Sequence, residues 1–186
     1  MAMNNPLPTP ELLHAVQLYF QGEKTEALVF ILPIGLLSLV FGAWLWIDSP
    51  SGFMRGVAIP FLVMGLLMGT VGAVVGYRTP AQAAQLAQAL QQSHESAQST
   101  VQAESARMAK VDAAWNIYLV IWGLMGLIGF GLRFATNGGF TQGLGIAFVF
   151  FCGVGLLVDG FAERRTHPYM TILKTAGLGN SDTSKR

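Results

Sequence analysis

Asp159 is the one acid inside a long apolar stretch of this chain, and Glu163, Arg164 and Arg165 follow within two helical turns. An ionisable group at such a place carries a proton or a cation, or it pairs with a nearby arginine. Its position at the end of the apolar stretch favours the pair, with Arg164 or Arg165 as partner. The three histidines, His14, His94 and His167, fall in separate polar pieces, and Cys152 is the only cysteine. There is no HExxH, no CxxC and no paired-ligand spacing, so neither zinc nor redox chemistry is indicated. A single cysteine excludes an internal disulfide. No glycine-rich phosphate loop appears either. Catalysis needs several acids, histidines or arginines converging at one place, and here they do not converge. The expectation is a non-enzymatic protein with no cofactor and no metal.

The elements that hold these residues follow from the charge pattern. Of 186 residues, 52% are hydrophobic and 11% charged, against about 25% charged in ordinary soluble domains. Ala27–Ile47, Gly56–Tyr77, Ala113–Leu132 and Phe134–Val158 carry no charge at all. Each run meets the roughly 20 residues that an apolar helix needs to cross the hydrocarbon layer. Continuous apolarity, without strict alternation, argues for helices over a barrel. Thr136, Asn137, Gly138 and Gly139 are turn formers, so Arg133–Gly139 reads as a connection and the fourth span as Phe140–Ala162. The first 26 residues lack a signal-peptide pattern, so the first span is expected to stay in the mature protein.

Orientation follows from the cations. With the N-terminus, the 78–112 segment and the C-terminus on one side, that side holds Lys24, Arg78, Arg107, Lys110, Arg164, Arg165, Lys174, Lys185 and Arg186. The two short connections hold Arg55 and Arg133 alone. The positive-inside rule then puts both termini in the cytoplasm. The expected architecture is all-α and polytopic, with four transmembrane helices as two hairpins. Its parts are an amphipathic N-terminal segment 1–26, hairpin 27–77, cytoplasmic helix 78–112, hairpin 113–162 and cytoplasmic tail 163–186.

Two helix starts lie in the polar pieces. Thr9-Pro10-Glu11 offers a cap, a first-turn proline and an acid near the positive helix end. The helix it opens, about Pro10–Phe20, puts Leu12, Leu13, Val16, Tyr19 and Phe20 on one face. That face can lie on the inner leaflet or pack against the protein's own cytoplasmic helix. Gln21-Gly22 permits a bend before the first span. Thr79-Pro80-Ala81-Gln82 supplies a capping box, with Gln82 able to reach back to the cap amide. Between Pro80 and Gly123 there is neither Gly nor Pro, so one helix is expected from Ala81 through the third span. Ala87, Leu90, His94, Ala97, Val101, Glu104, Met108 and Val111 recur at alternating steps of three and four, a short coiled-coil seam. His94 and Glu104 interrupt it. The other six are apolar, with Leu90, Ala97, Val101 and Met108 the core of the seam, pairing within the chain or between copies.

Glycine marks the span contacts. Gly65, Gly69, Gly72 and Gly76 form a stripe in the second span, and Gly123 and Gly126 begin another in the third. Small residues let helix backbones approach where hydrophobic burial gives little advantage. Pro33 and Pro60 can kink their helices. Trp44, Trp46, Trp115, Trp122 and Tyr77 fit an aromatic belt.

Gly22-Glu23-Lys24 leads into the first span with its Leu32-Pro33, and a second stretch runs from Arg55-Gly56 through Pro60 to Tyr77-Arg78-Thr79-Pro80. These resemble small four-span inner-membrane proteins of proteobacteria, some of which are immunity partners of interbacterial toxins. The resemblance covers roughly the first 85 residues. It implies a bacterial inner-membrane protein whose partner is a membrane-acting toxin, and it carries over no binding residue. Two other roles fit the residues: a homo-oligomeric channel or transport component, and a scaffold docking a soluble partner through the 81–112 helix. Membrane lipid is a partner in all three. A net charge of +1 without a basic patch argues against nucleic acid.

Overall fold

Ala, Leu, Met, Gln and Glu favour helix through most of the chain, and no long Gly-Pro-rich stretch interrupts it. The computed structural model describes residues 10–135 and 137–178, and these are helical apart from short connections. In order they form α1 (Pro10–Glu26), a π-helical turn (Ala27–Ile31), α2 (Leu32–Asp48), α3 (Gly52–Leu90), α4 (His94–Ala135) and α5 (Gly139–Leu178). Among the described residues, four helical segments are long and apolar enough to cross a membrane. The chain is an all-α, multi-pass membrane protein by length and composition. At about 1.5 Å per residue, α3 with its 39 residues is about twice as long as a ~30 Å hydrocarbon core requires.

Three expectations change. First, Gln21-Gly22 is no bend: α1 continues through it to Glu26. Glycine stands there because the aliphatic part of Arg165 occupies the space, its Cδ 2.6 Å from where a Cβ would lie. The irregularity comes later, at Ala27–Ile31, just before Pro33. A proline ring collides with the carbonyl four residues back, here that of Val29. Widening the preceding turn to a π-helix, with the Leu32 amide donating to the Ala27 carbonyl, accommodates it.

Second, the 81–112 segment is not one helix. It divides at Gln91–Ser93, where α3 ends and α4 begins. Ser93 caps α4: its hydroxyl accepts from the Ser96 amide at 3.2 Å and its carbonyl from the Ala97 amide at 2.8 Å. Glu95 in the first turn suits the positive end of the helix. The absence of Gly and Pro did not prevent a break, because a serine cap suffices. Third, Thr79-Pro80 opens no helix, since α3 runs through both to Leu90; the tail after Ala162, whose form the sequence left open, is helical as far as Leu178 as α5 runs on through Pro168. Thr136 lies outside the described residues. Just after it, the Gly138 carbonyl accepts from the Gln142 amide at 3.1 Å, which starts α5, and from the Thr141 hydroxyl at 2.8 Å.

The described chain divides into two compact units. One comprises the residues up to Lys24, Tyr77–Trp115 and those from Ala162 on; the other comprises Thr25–Gly76 and Asn116–Phe161. The first has a core of Leu12, Val16, Tyr19, Phe20, Leu90, Ala97, Val101, Met108, Tyr169 and Leu173, drawn from α1, α3, α4 and α5. The second centres on Leu45, Val57, Ala58 and Ala147, with Phe53 and Phe61 against them. Its outer surface is apolar, with Leu37, Val40, Leu66, Leu127 and Leu157 all exposed. That pattern suits lipid as solvent and would be a liability in water.

Candidate functional site

Among its described residues the polar unit buries one carboxylate. Glu104 is 8% exposed among Ala97, Val101 and Met108, and such a group must find partners. Arg107, one turn on, supplies a fork: Nε donates to Glu104 Oε2 at 2.8 Å and a terminal nitrogen to Oε1 at 2.7 Å. The Tyr169 hydroxyl donates to the same Oε1 at 3.0 Å from α5. Tyr19 of α1 stacks on Tyr169, ring centroids 4.5 Å apart and planes 17° off parallel. The Arg165 guanidinium lies 5.5 Å from the Tyr19 centroid, within cation–π reach. Two helices thus meet on one carboxylate, and the third, α1, joins the cluster through the stacked Tyr19.

The electrostatics follow from that packing. Burial pushes the Tyr169 phenol well above the usual tyrosine value, and the neighbouring Glu104 carboxylate adds to the rise. Tyr19 is raised for the same first reason, with Glu23 contributing. Arg107 is raised by its hydrogen bonds to Glu104. Both carboxylate oxygens are occupied, which makes the cluster a lock between helices. In sequence Glu104 only interrupts the apolar seam; in the fold it fastens it. The Glu104–Arg107 spacing of i, i+3 was the available signal.

The seam itself closes inside the chain. Leu90 on α3 and Ala97, Val101 and Met108 on α4 are each 2% exposed or less. They pack with the apolar face of α1 and with Tyr169 and Leu173. Of the two readings of α1, packing against the protein's own helices is the one realised, since Leu12 and Val16 are wholly buried. His14 is exposed, His167 lies 3.7 Å from Glu163, and the side chain of His94 lies outside the described residues. Among the described residues no group of three His, Cys, Asp or Glu is placed to hold a metal.

In the apolar unit the glycine stripe meets a partner. A Cβ on Gly65 would lie 2.7 Å from the Leu39 amide nitrogen and 2.9 Å from the Gly35 carbonyl oxygen. One on Gly72 would press on the Leu32 backbone at 2.6 Å, and Gly76 faces the Leu28 side chain. Gly69 has open space on its own Cβ side, yet its backbone is what Gly35 abuts. The close approach is therefore between α3 and the π-turn with α2. On α4, a Cβ at Gly126 would lie 2.8 Å from Cys152 Sγ, whereas Gly123 faces open space.

Asp159 has a partner that sequence spacing did not suggest. The Trp122 indole Nε1 donates to its Oδ2 at 2.6 Å. The Trp122 ring lies against Gly155, one turn before Asp159 on α5. A glycine that admits the ring and an acid that takes its N–H form a single fitting. Trp122 is thus a packing residue in addition to any place in an aromatic belt. Comparison of the chain with protein-family models, with curated proteins and with solved structures finds no match.

Proposed function

We propose that this chain is a non-enzymatic interaction protein of the bacterial inner membrane, acting as an immunity protein against a membrane-acting toxin. Its four spans form two hairpins, 27–77 and 113–162, with both termini and the 78–112 region in the cytoplasm. The split of nine cations against two supports that orientation. One observation carries the interaction reading: the ionisable side chains best placed for chemistry are already engaged in fastening helices. Glu104 is taken by Arg107 and Tyr169, and Asp159 by Trp122. What remains is shape and apolar surface, including Ile117, Val120, Leu124, Leu127 and Phe134 on α4, all exposed. A partner helix in the bilayer would be recognised by such a face through van der Waals fit.

The immunity assignment rests on the resemblance of the first two spans and their flanks. It is tested by producing the protein in cells that also make a membrane-depolarising toxin encoded beside its gene. Survival with the protein and death without it is the expected result. Equal killing in both, or the absence of any toxin gene nearby, contradicts it. The scaffold alternative loses ground, because the seam it would offer to a soluble partner is buried within the chain.

A further inference from the structure

Gly52-Phe53-Met54-Arg55-Gly56 opens α3, and Gly139-Phe140-Thr141-Gln142-Gly143 opens α5. Setting Gly52 on Gly139 also aligns Ile59 with Ile146, Phe61 with Phe148 and Arg78-Thr79 with Arg165-Thr166. Both threonines are 1% exposed.

The contacts turn this likeness into a symmetry. A Cβ on Gly52 would lie 3.6 Å from the Phe140 amide nitrogen, and one on Gly139 would lie 3.5 Å from that of Phe53. A Cβ on Gly56 would press on the Phe140 carbonyl and lie 3.0 Å from the Leu144 nitrogen. One on Gly143 would press on the Phe53 carbonyl and lie 3.1 Å from the Val57 nitrogen. Each contact that one helix makes is returned by the other, as across a two-fold axis. Glycine at both positions removes the side chains that would hold the backbones apart.

The relation extends to the helix before each. Gly42 on α2 abuts Ala58 and Leu62 of α3, and its counterpart Gly129 on α4 abuts Gly145 and Val149, the counterparts of those two on α5. Further along, Gly35 abuts Met68, and its counterpart Trp122 lies against Gly155, the counterpart of Met68. The Trp122–Asp159 fitting therefore stands where the first helix pair has Gly35 and Gly72, and it marks where the two pairs diverge.

We propose that α2–α3 and α4–α5 are two copies of one two-helix module, and that its Gly-Phe-x-x-Gly start is a self-complementary docking surface whose partner is a second copy of the module. In this chain the second copy is built in. Helices that meet at equivalent positions near their starts run the same way, as in parallel repeats related by an axis along the membrane normal. The inference rests on packing within the apolar unit and not on any toxin, so it stands or falls independently of the immunity reading.

The test is reciprocal disulfide trapping in the full-length protein, in a Cys152→Ser background. Gly52→Cys with Phe140→Cys sets the Cβ atoms 3.9 Å apart, and Gly139→Cys with Phe53→Cys sets them 3.8 Å apart, both at disulfide spacing. Oxidation should bridge the two pairs to the same extent within one chain, read by intact mass as the loss of both alkylatable thiols. A second arm frees the surface. Gly143→Leu blocks the second copy, so the first copy should pair with that of another chain, and Gly52→Cys with Phe53→Cys should then yield a covalent dimer. With Gly143 intact the same two cysteines should leave the chain monomeric. Bridging of one reciprocal pair without the other, or a helical Gly143→Leu chain that stays monomeric, would overturn the proposal. Where circular dichroism shows that Gly143→Leu has lost its helix, the two reciprocal pairs decide alone.

Discussion

Glu104 shows how a charge earns a buried place. Removing one partner of a buried pair leaves an uncompensated ion, which costs about 3–5 kcal/mol in fully enclosed cases. The Arg107 side chain is 45% exposed, so solvent screens part of that loss and Arg107→Ala should cost about 2 kcal/mol. Tyr169→Phe should cost about 1.5 kcal/mol, the loss of a hydrogen bond to a charged acceptor. Thermal unfolding in detergent micelles measures both. A double variant that costs less than the sum shows the two share one carboxylate. Alkali gives a second check at this scale. Tyr19 and Tyr169 have folded values above the ordinary 10.0, so both states stay protonated below pH 10. Above it the unfolded chain loses protons that the folded one keeps, and stability falls as pH rises. Tyr169→Phe should flatten that fall; an unchanged slope would show that the phenols take no part.

At the scale of elements, glycines on one helix are not equivalent. A methyl on Gly35 would meet the backbone of Gly69, whereas Gly123 has nothing within 4 Å. Gly35→Ala should therefore destabilise by about 1–3 kcal/mol through overpacking, and Gly123→Ala should be close to neutral. Differential scanning fluorimetry of the two variants in micelles makes the comparison, and equal shifts would contradict the packing described. The Ser93 cap is testable in the same way, with Ser93→Ala expected to cost about 1 kcal/mol. These elements also mark how far the sequence could be read. Uncharged runs give the apolar helices because membrane insertion is decided by local composition. The three-four spacing of Leu90, Ala97, Val101 and Met108 shows an apolar stripe, but spacing cannot say what covers it. The break at Ser93 was missed because a cap is a tertiary opportunity as well as a residue type. Turning there lets Leu90 and the α4 residues bury in one core.

At the scale of the whole molecule, four helical segments are long and apolar enough to cross a membrane, and the polar unit has its Glu104 carboxylate locked by an arginine and a tyrosine. The Trp122–Asp159 fitting was not legible, since the two residues lie 37 apart in the chain and only folding brings them together. The split of cations supports the proposed direction of the spans, and that direction is the claim on which the partner reading depends. It is tested most directly by labelling intact cells with a membrane-impermeant maleimide. In a Cys152→Ser background, single cysteines replace Ser51, Ser93 or Asn137. The account requires Ser51→Cys and Asn137→Cys to label from outside and Ser93→Cys to label only after the cells are opened. Labelling of Ser93→Cys in intact cells, with the other two protected, would contradict it.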